Sequence, residues 1–143
     1  MNGIHILLVE DNEGDILLTT EALQEGKVSN KVSVVRDGEE ALDFLDKKGK
    51  YASEEVPDLI LLDVNLPRKN GHEVLQYVKT NENIKHIPVI MLTTSSSNDD
   101  VRKSYNNHAN CYITKPVESE GFLNVLNSIE NFWMNVVKLP SIR

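Results

Sequence analysis

Short apolar runs alternate along the chain with stretches in which apolar residues return every three or four positions. Ile4–Val9 (Ile-His-Ile-Leu-Leu-Val), Leu59–Leu62 and Val89–Leu92 are near-continuous runs of strand length. Val32, Val34 and Val35 are β-branched and predict a second strand, and Asn110–Thr114 reads as a fifth. Helices are predicted between the strands. The first runs from Glu13 to Glu25 with Gly26 as its cap, and the second from Gly38 to Lys48 with Ala41, Leu42 and Leu45 on one face. The third runs from Gly71 to about Glu82 and turns Val74, Leu75 and Val78 inward. Asn98 or Asp99 caps a fourth that reaches about Asn107. The fifth starts near Glu118, carries Phe122, Leu126, Ile129, Trp133 and Val136 at helical spacing, and stops before Pro140. Gly49 to Pro57 is a polar connection of unusual length.

Five rounds of strand then helix, with strands apolar on both faces, predict an α/β domain built on a parallel sheet covered from both sides. The right-handed crossover rule makes it doubly wound. In such sheets ligands sit beyond the carboxyl ends of the strands. The residues there are Glu10 and Asp11 after strand one, Asp63 after strand three, Thr93 and Thr94 after strand four, and Thr114-Lys115-Pro116 after strand five. Each of these is commonplace alone, an acid in a loop or a lysine on a surface. Together they place three carboxylates, hydroxyls and one lysine in a single crevice.

Carboxylates crowded in this way repel, and one would hold its proton toward neutral pH unless a cation intervenes. Mg²⁺ suits a few carboxylate oxygens completed by water, with Asp11 and Asp63 as direct ligands, Glu10 direct or through water, and the backbone carbonyl of Asn65 as a further oxygen. A divalent cation, Lys115, a hydroxyl and a carboxylate oxygen form a set suited to phosphoryl transfer, with Asp63 as nucleophile and an acyl phosphate as product.

The totals narrow the partners. A chain of 143 residues is enough for one compact domain, here 1–143 with no output domain. A net charge of −7 argues against nucleic acid or an anionic membrane surface as partner. The single cysteine, Cys111, allows no internal disulfide and fits a reducing compartment. The apolar run at the start is too short for a signal peptide or a membrane span, so a soluble cytoplasmic protein is expected.

With these residues in view, the chain resembles the receiver domain of bacterial two-component response regulators. The motifs are Leu7-Leu8-Val9-Glu10-Asp11, Leu61-Leu62-Asp63-Val64-Asn65-Leu66-Pro67 with Gly71, Val89-Ile90-Met91-Leu92-Thr93, and Tyr112-Ile113-Thr114-Lys115-Pro116. Their order and spacing span nearly the whole chain. The resemblance implies a flavodoxin-like sheet of order 2-1-3-4-5 with five helices. It implies that Asp63 accepts a phosphoryl group from a sensor histidine kinase, and that Glu10, Asp11, Asp63 and the carbonyl of Asn65 bind Mg²⁺. Thr93 matches the hydroxyl residue that moves toward the phosphoryl group, Lys115 the lysine that contacts it, and Tyr112 the aromatic switch. Glu10 departs from the aspartate of many relatives by one methylene and leaves the charge intact.

The long Lys47–Pro57 segment and Leu66-Pro67-Arg68-Lys69-Asn70-Gly71 resemble single-domain regulators paired with phytochrome-type kinases. Output is then expected by association with a downstream protein, or as a homodimer through helix four, strand five and helix five, where Phe132, Trp133, Met134 and Val137 are apolar. Such a domain is a phospho-accepting signalling module rather than an enzyme, although it has weak autocatalytic chemistry.

Three other readings stand beside this one. A phosphotransferase or phosphatase using a phosphoaspartate would place a second aspartate two residues on as general acid, where this chain has Asn65. A flavin or nucleotide carrier would need a phosphate cradle, where Asp11-Asn12-Glu13-Gly14-Asp15 is acidic. A degenerate receiver would keep the fold as a scaffold without the chemistry.

Overall fold

A computed structural model describes residues 4–26, 29–93 and 111–115. Five strands, β1 (Ile4–Val9), β2 (Ser29–Val35), β3 (Leu59–Asp63), β4 (Val89–Thr93) and β5 (Cys111–Thr114), form one sheet of order β2-β1-β3-β4-β5. Every neighbouring pair is parallel. Helices α1 (Glu13–Gly26), α2 (Gly38–Leu45) and α3 (Gly71–Thr80) connect them. The predicted fourth and fifth helices lie outside the described residues, as do Thr94, Pro116 and the apolar positions at 132–137.

The strands are apolar on both faces because both faces are covered. Strand periodicity divides the runs between two cores. Leu7, Val9, Ile60, Leu62, Val89 and Met91 face α2 and α3, where Ala41, Phe44, Val74, Leu75 and Val78 are buried. Ile6, Leu8, Leu59, Leu61, Ile90 and Leu92 pack with Ala22 and Leu23 of α1. Burying such leucine and isoleucine side chains contributes roughly 2 kcal/mol each, which makes these six-to-a-side layers the main support of the sheet.

Element ends differ from the sequence reading in physically simple ways. β3 includes Asp63, because Val64 N–H donates to the Leu92 carbonyl and carries the ladder to the acid. α2 stops at Leu45, with Asp46 as its C-cap and Lys47 in the left-handed region at φ 59°. The connection to β3 contains a short 3-10 turn, Gly49–Tyr51, and Tyr51 packs its ring on Phe44 with centroids 5.1 Å apart.

Two caps set the loop between β3 and α3. Asn70 and Glu73 form a capping box, each side chain accepting from the other's backbone N–H at 3.0 Å. At α2 the Asp37 side chain accepts from Glu40 N–H at 2.7 Å, and its other oxygen lies 3.4 Å from Arg68 Nε. Gly71 is required by a close approach: a Cβ there would stand 2.3 Å from the Asp63 carbonyl oxygen. The backbone of α3 is thereby pressed directly behind the acid.

Candidate functional site

The carboxyl ends of β1, β3, β4 and β5 bring the expected residues together. Glu10 follows β1, and its backbone N–H donates to the Val35 carbonyl at 3.0 Å, which seats it beside β2 with almost no exposure. Asp11 follows and is exposed. Asp63 closes β3 and is buried at 3% exposure. Glu10, Asp11 and Asp63 each offer a carboxylate oxygen within 4.8 Å of the others. That spacing suits one hard divalent cation, and the donor set of oxygens alone favours Mg²⁺-like ions over soft metals.

Lys115 stands one residue past β5, and its backbone N–H donates to the Thr93 carbonyl at 2.6 Å. This bond ties the end of β5 to the end of β4. It also aims the side chain inward, where Nζ lies 2.6 Å from Glu10 Oε1, 2.9 Å from Asp15 Oδ2 and 3.3 Å from Asp63 Oδ1. Thr93 is fully buried at the end of β4. Tyr112 is partly buried and packs against the core on the α2–α3 face. Asn65 is exposed, and its N–H donates to Asp63 Oδ1 at 3.3 Å.

Charge explains the behaviour of the two buried groups. Burial and the neighbouring Glu10 carboxylate push the Asp63 carboxyl up to about 7, against the opposing pull of Lys115. Burial also works against the charge of Lys115. The hydrogen-bonded carboxylates of Glu10 and Asp15, with the charge of Asp63, outweigh it and hold the ammonium above the ordinary lysine range. The expectation that one carboxyl of the cluster retains its proton toward neutrality therefore lands on Asp63. A bound divalent cation reverses that balance by favouring the ionised form.

The structure thus gathers Glu10, Asp11, Asp63 and Lys115 at one end of the sheet, with the backbone of Thr93 bonded to that of Lys115. Tyr112 stands in β5, and Asn65 follows the acid. Asp15 is the addition. It was legible only as part of an acidic loop, yet it sits in the first turn of α1, where Asn12 Oδ1 accepts from its N–H at 2.9 Å. A helix starting four residues after the last strand residue turns its first turn back over that strand end, and this offset is the signal that points to it.

Comparison with known proteins agrees with the geometry. A family profile described as the response regulator receiver domain matches residues 6–127. The chain is 44% identical over 136 residues to response regulator Rcp1 of a Synechocystis strain, covering 95% of this chain and 92% of that protein. The structure of the phosphorylated cyanobacterial phytochrome response regulator RcpA is similar at a TM-score of 0.79 and 47% identity, covering 92% of this chain and 94% of that one. The Mn²⁺-bound form of Rcp1 is similar at a TM-score of 0.78 and 43% identity, covering 93% and 96%. With that coverage and identity, and with the strand order and acidic cluster described above, the chain belongs to the response regulator receiver domain family of two-component signalling proteins.

Proposed function

We propose that this receiver accepts one phosphoryl group on Asp63 in a Mg²⁺-dependent reaction and passes the signal on by associating with another protein. The observation that carries the reading is the position of the Lys115 ammonium, 3.3 Å from Asp63 Oδ1 and beside the Glu10–Asp11–Asp63 cluster. A carboxylate oxygen of Asp63 attacks phosphorus. The new O–P bond forms as the bond from phosphorus to the donor breaks, and the electron pair leaves with the donor. Lys115 neutralises charge on the transferring group. Glu10, Asp11, Asp63 and the backbone carbonyl of Asn65 would hold Mg²⁺, which when bound supplies further positive charge at that group. The Thr93 hydroxyl and the Tyr112 ring then report the new charge to β5 and the surface beside it.

The donor is a sensor histidine kinase, and likeness to RcpA and Rcp1 supports one of phytochrome type. The receiver acts in the cytoplasm, as a signalling module rather than a turnover enzyme. Output runs through the face that the sequence predicts for helix four, strand five and helix five, toward a downstream protein or a second copy. Among the described residues no helix is long and apolar enough to cross a membrane.

Incubation with acetyl phosphate and Mg²⁺, read by intact-protein mass, tests the reaction. One phosphoryl group gained, and none gained with a chelator present, is the expected result. No gain at any Mg²⁺ concentration would remove phosphoryl acceptance and leave a scaffold. Faster transfer from a phytochrome-type kinase than from an unrelated histidine kinase is expected, and equal rates would refute the pairing.

A further inference from the structure

The Lys115 ammonium has three N–H donors and three carboxylate neighbours. Two of those neighbours, Glu10 and Asp63, also belong to the acidic cluster that suits a cation. The third, Asp15, does not. Its Oδ2 lies 2.9 Å from Nζ, and the pair is largely withdrawn from water, with side-chain exposures of 7% for Lys115 and 27% for Asp15. Asp15 is itself held in place. Its N–H is capped by Asn12 Oδ1 at 2.9 Å, and Ile16 N–H donates to the Asn12 carbonyl at 2.9 Å, which fixes the first turn of α1.

We propose that Asp15 is a positioning residue for phosphoryl transfer, holding the Lys115 ammonium from the α1 side so that one N–H faces the Asp63 carboxylate. The proposal rests on the reading of Asp63 as acceptor. A lysine side chain is a point charge on a flexible four-carbon stem, so its reach to the acceptor is set by whatever else it binds. When Glu10 shares its oxygens with a cation, Asp15 is the carboxylate left to Lys115 alone. An opposing effect exists, because the Asp15 charge also repels an anionic phosphoryl donor. That repulsion acts over a longer distance and through the solvent that reaches Asp15, whereas the ion pair is short and mostly dry. Orientation therefore outweighs repulsion, and removing Asp15 slows the reaction.

The test uses the full chain, acetyl phosphate and a Mg²⁺ titration, with the rate of phosphoryl uptake followed by intact mass. Asp15→Ala should lower the limiting rate at saturating Mg²⁺ about tenfold, while the half-saturating Mg²⁺ concentration stays within about twofold of wild type. Asp15→Glu should recover most of the rate, and Asp15→Asn, which keeps an acceptor oxygen without the charge, should fall between. Should Asp15→Ala not fold, the near-isosteric Asp15→Asn decides the same comparison. An unchanged limiting rate in Asp15→Ala and Asp15→Asn overturns the proposal. So does a loss cured by more Mg²⁺, which would make Asp15 a metal ligand, or a failure of Asp15→Glu to recover. If the wild-type chain takes up no phosphoryl group, the acceptor reading falls and this inference with it. Normal wild-type uptake with an unaffected variant overturns the Asp15 role alone.

Discussion

Lys115 and Lys79 are lysines drawn out of water at opposite ends of the same sheet, and their surroundings have opposite effects. Lys79, near the end of α3, donates to the backbone carbonyls of Lys85 at 3.1 Å and Ile87 at 2.6 Å. Burial lowers its pKa to about 8, because neutral carbonyl dipoles do not offset the lost hydration of the charge. Lys115 meets burial too, but carboxylates at 2.6 and 2.9 Å hold its charge in place. At the amino edge of the sheet, Lys79 is met by backbone dipoles. His5 at the same edge has Nε2 2.9 Å from Ser33 Oγ, and its backbone N–H donates to the Asp58 carboxylate at 2.9 Å. The carboxyl edge instead gathers like charges around one cation. An arrangement that is electrostatically costly in isolation is what singles out this edge as the candidate site.

The largest expected break in that comparison is chemical. Asp63→Asn should abolish phosphoryl uptake, whereas Lys79→Met should leave the uptake rate within about twofold of wild type. Intact mass after acetyl phosphate treatment reads both. A strong loss in Lys79→Met would mean that the two edges are not independent. Lys115→Met should slow uptake by about a hundredfold, the usual scale for one preorganised positive group at a transferring phosphoryl.

Next comes packing behind the acid. Gly71→Ala places a methyl 2.3 Å from the Asp63 carbonyl oxygen, so α3 must move. Denaturant unfolding should show a loss of about 1–3 kcal/mol. A neutral result would show that α3 is free to shift behind Asp63.

Stability against pH separates the two edges more finely. The folded-state pKa of Asp63 is raised to about 7, above its unfolded value, so its contribution is fully present in acid and is lost as pH rises through about 7. Without divalent cation, the melting temperature of wild type relative to Asp63→Asn should therefore fall between about pH 4 and 7. Mg²⁺ should remove that trend. The Lys79 pKa is depressed to about 8, so the sign reverses in its own window. Relative to Lys79→Met, wild type should gain stability as pH rises from about 8 to 10. This is the smallest of the effects, and a flat difference would mean that Lys79 is hydrated.

Much of this was readable along the chain, and for definite reasons. Strand-length apolar runs such as Leu59–Leu62 have few foldings available when helical patterns separate them, so the parallel sheet and its functional edge followed. The strand order itself needed the resemblance, because periodicity does not say which strands are neighbours. Glu10, Asp63 and Lys115 were found because strand ends are easy to place. Asp15 was missed because its role depends on how α1 lies over β1, a three-dimensional offset that no single-residue pattern carries. The same holds for Gly71, whose necessity appears only when α3 is seen against the Asp63 backbone. The turn at Gly49–Tyr51 escaped because it rests on a ring contact between Tyr51 and Phe44 and on left-handed Lys47, not on a periodic pattern.

The most direct test of the acceptor is to find where the acyl phosphate forms. Protein treated with acetyl phosphate and Mg²⁺ is reduced with borohydride, which converts a phosphorylated aspartate to homoserine, and then mapped by peptide mass. The account predicts conversion at residue 63 alone, dependent on Mg²⁺. Conversion at residue 11 or 15, or none despite a gain in intact mass, would contradict it.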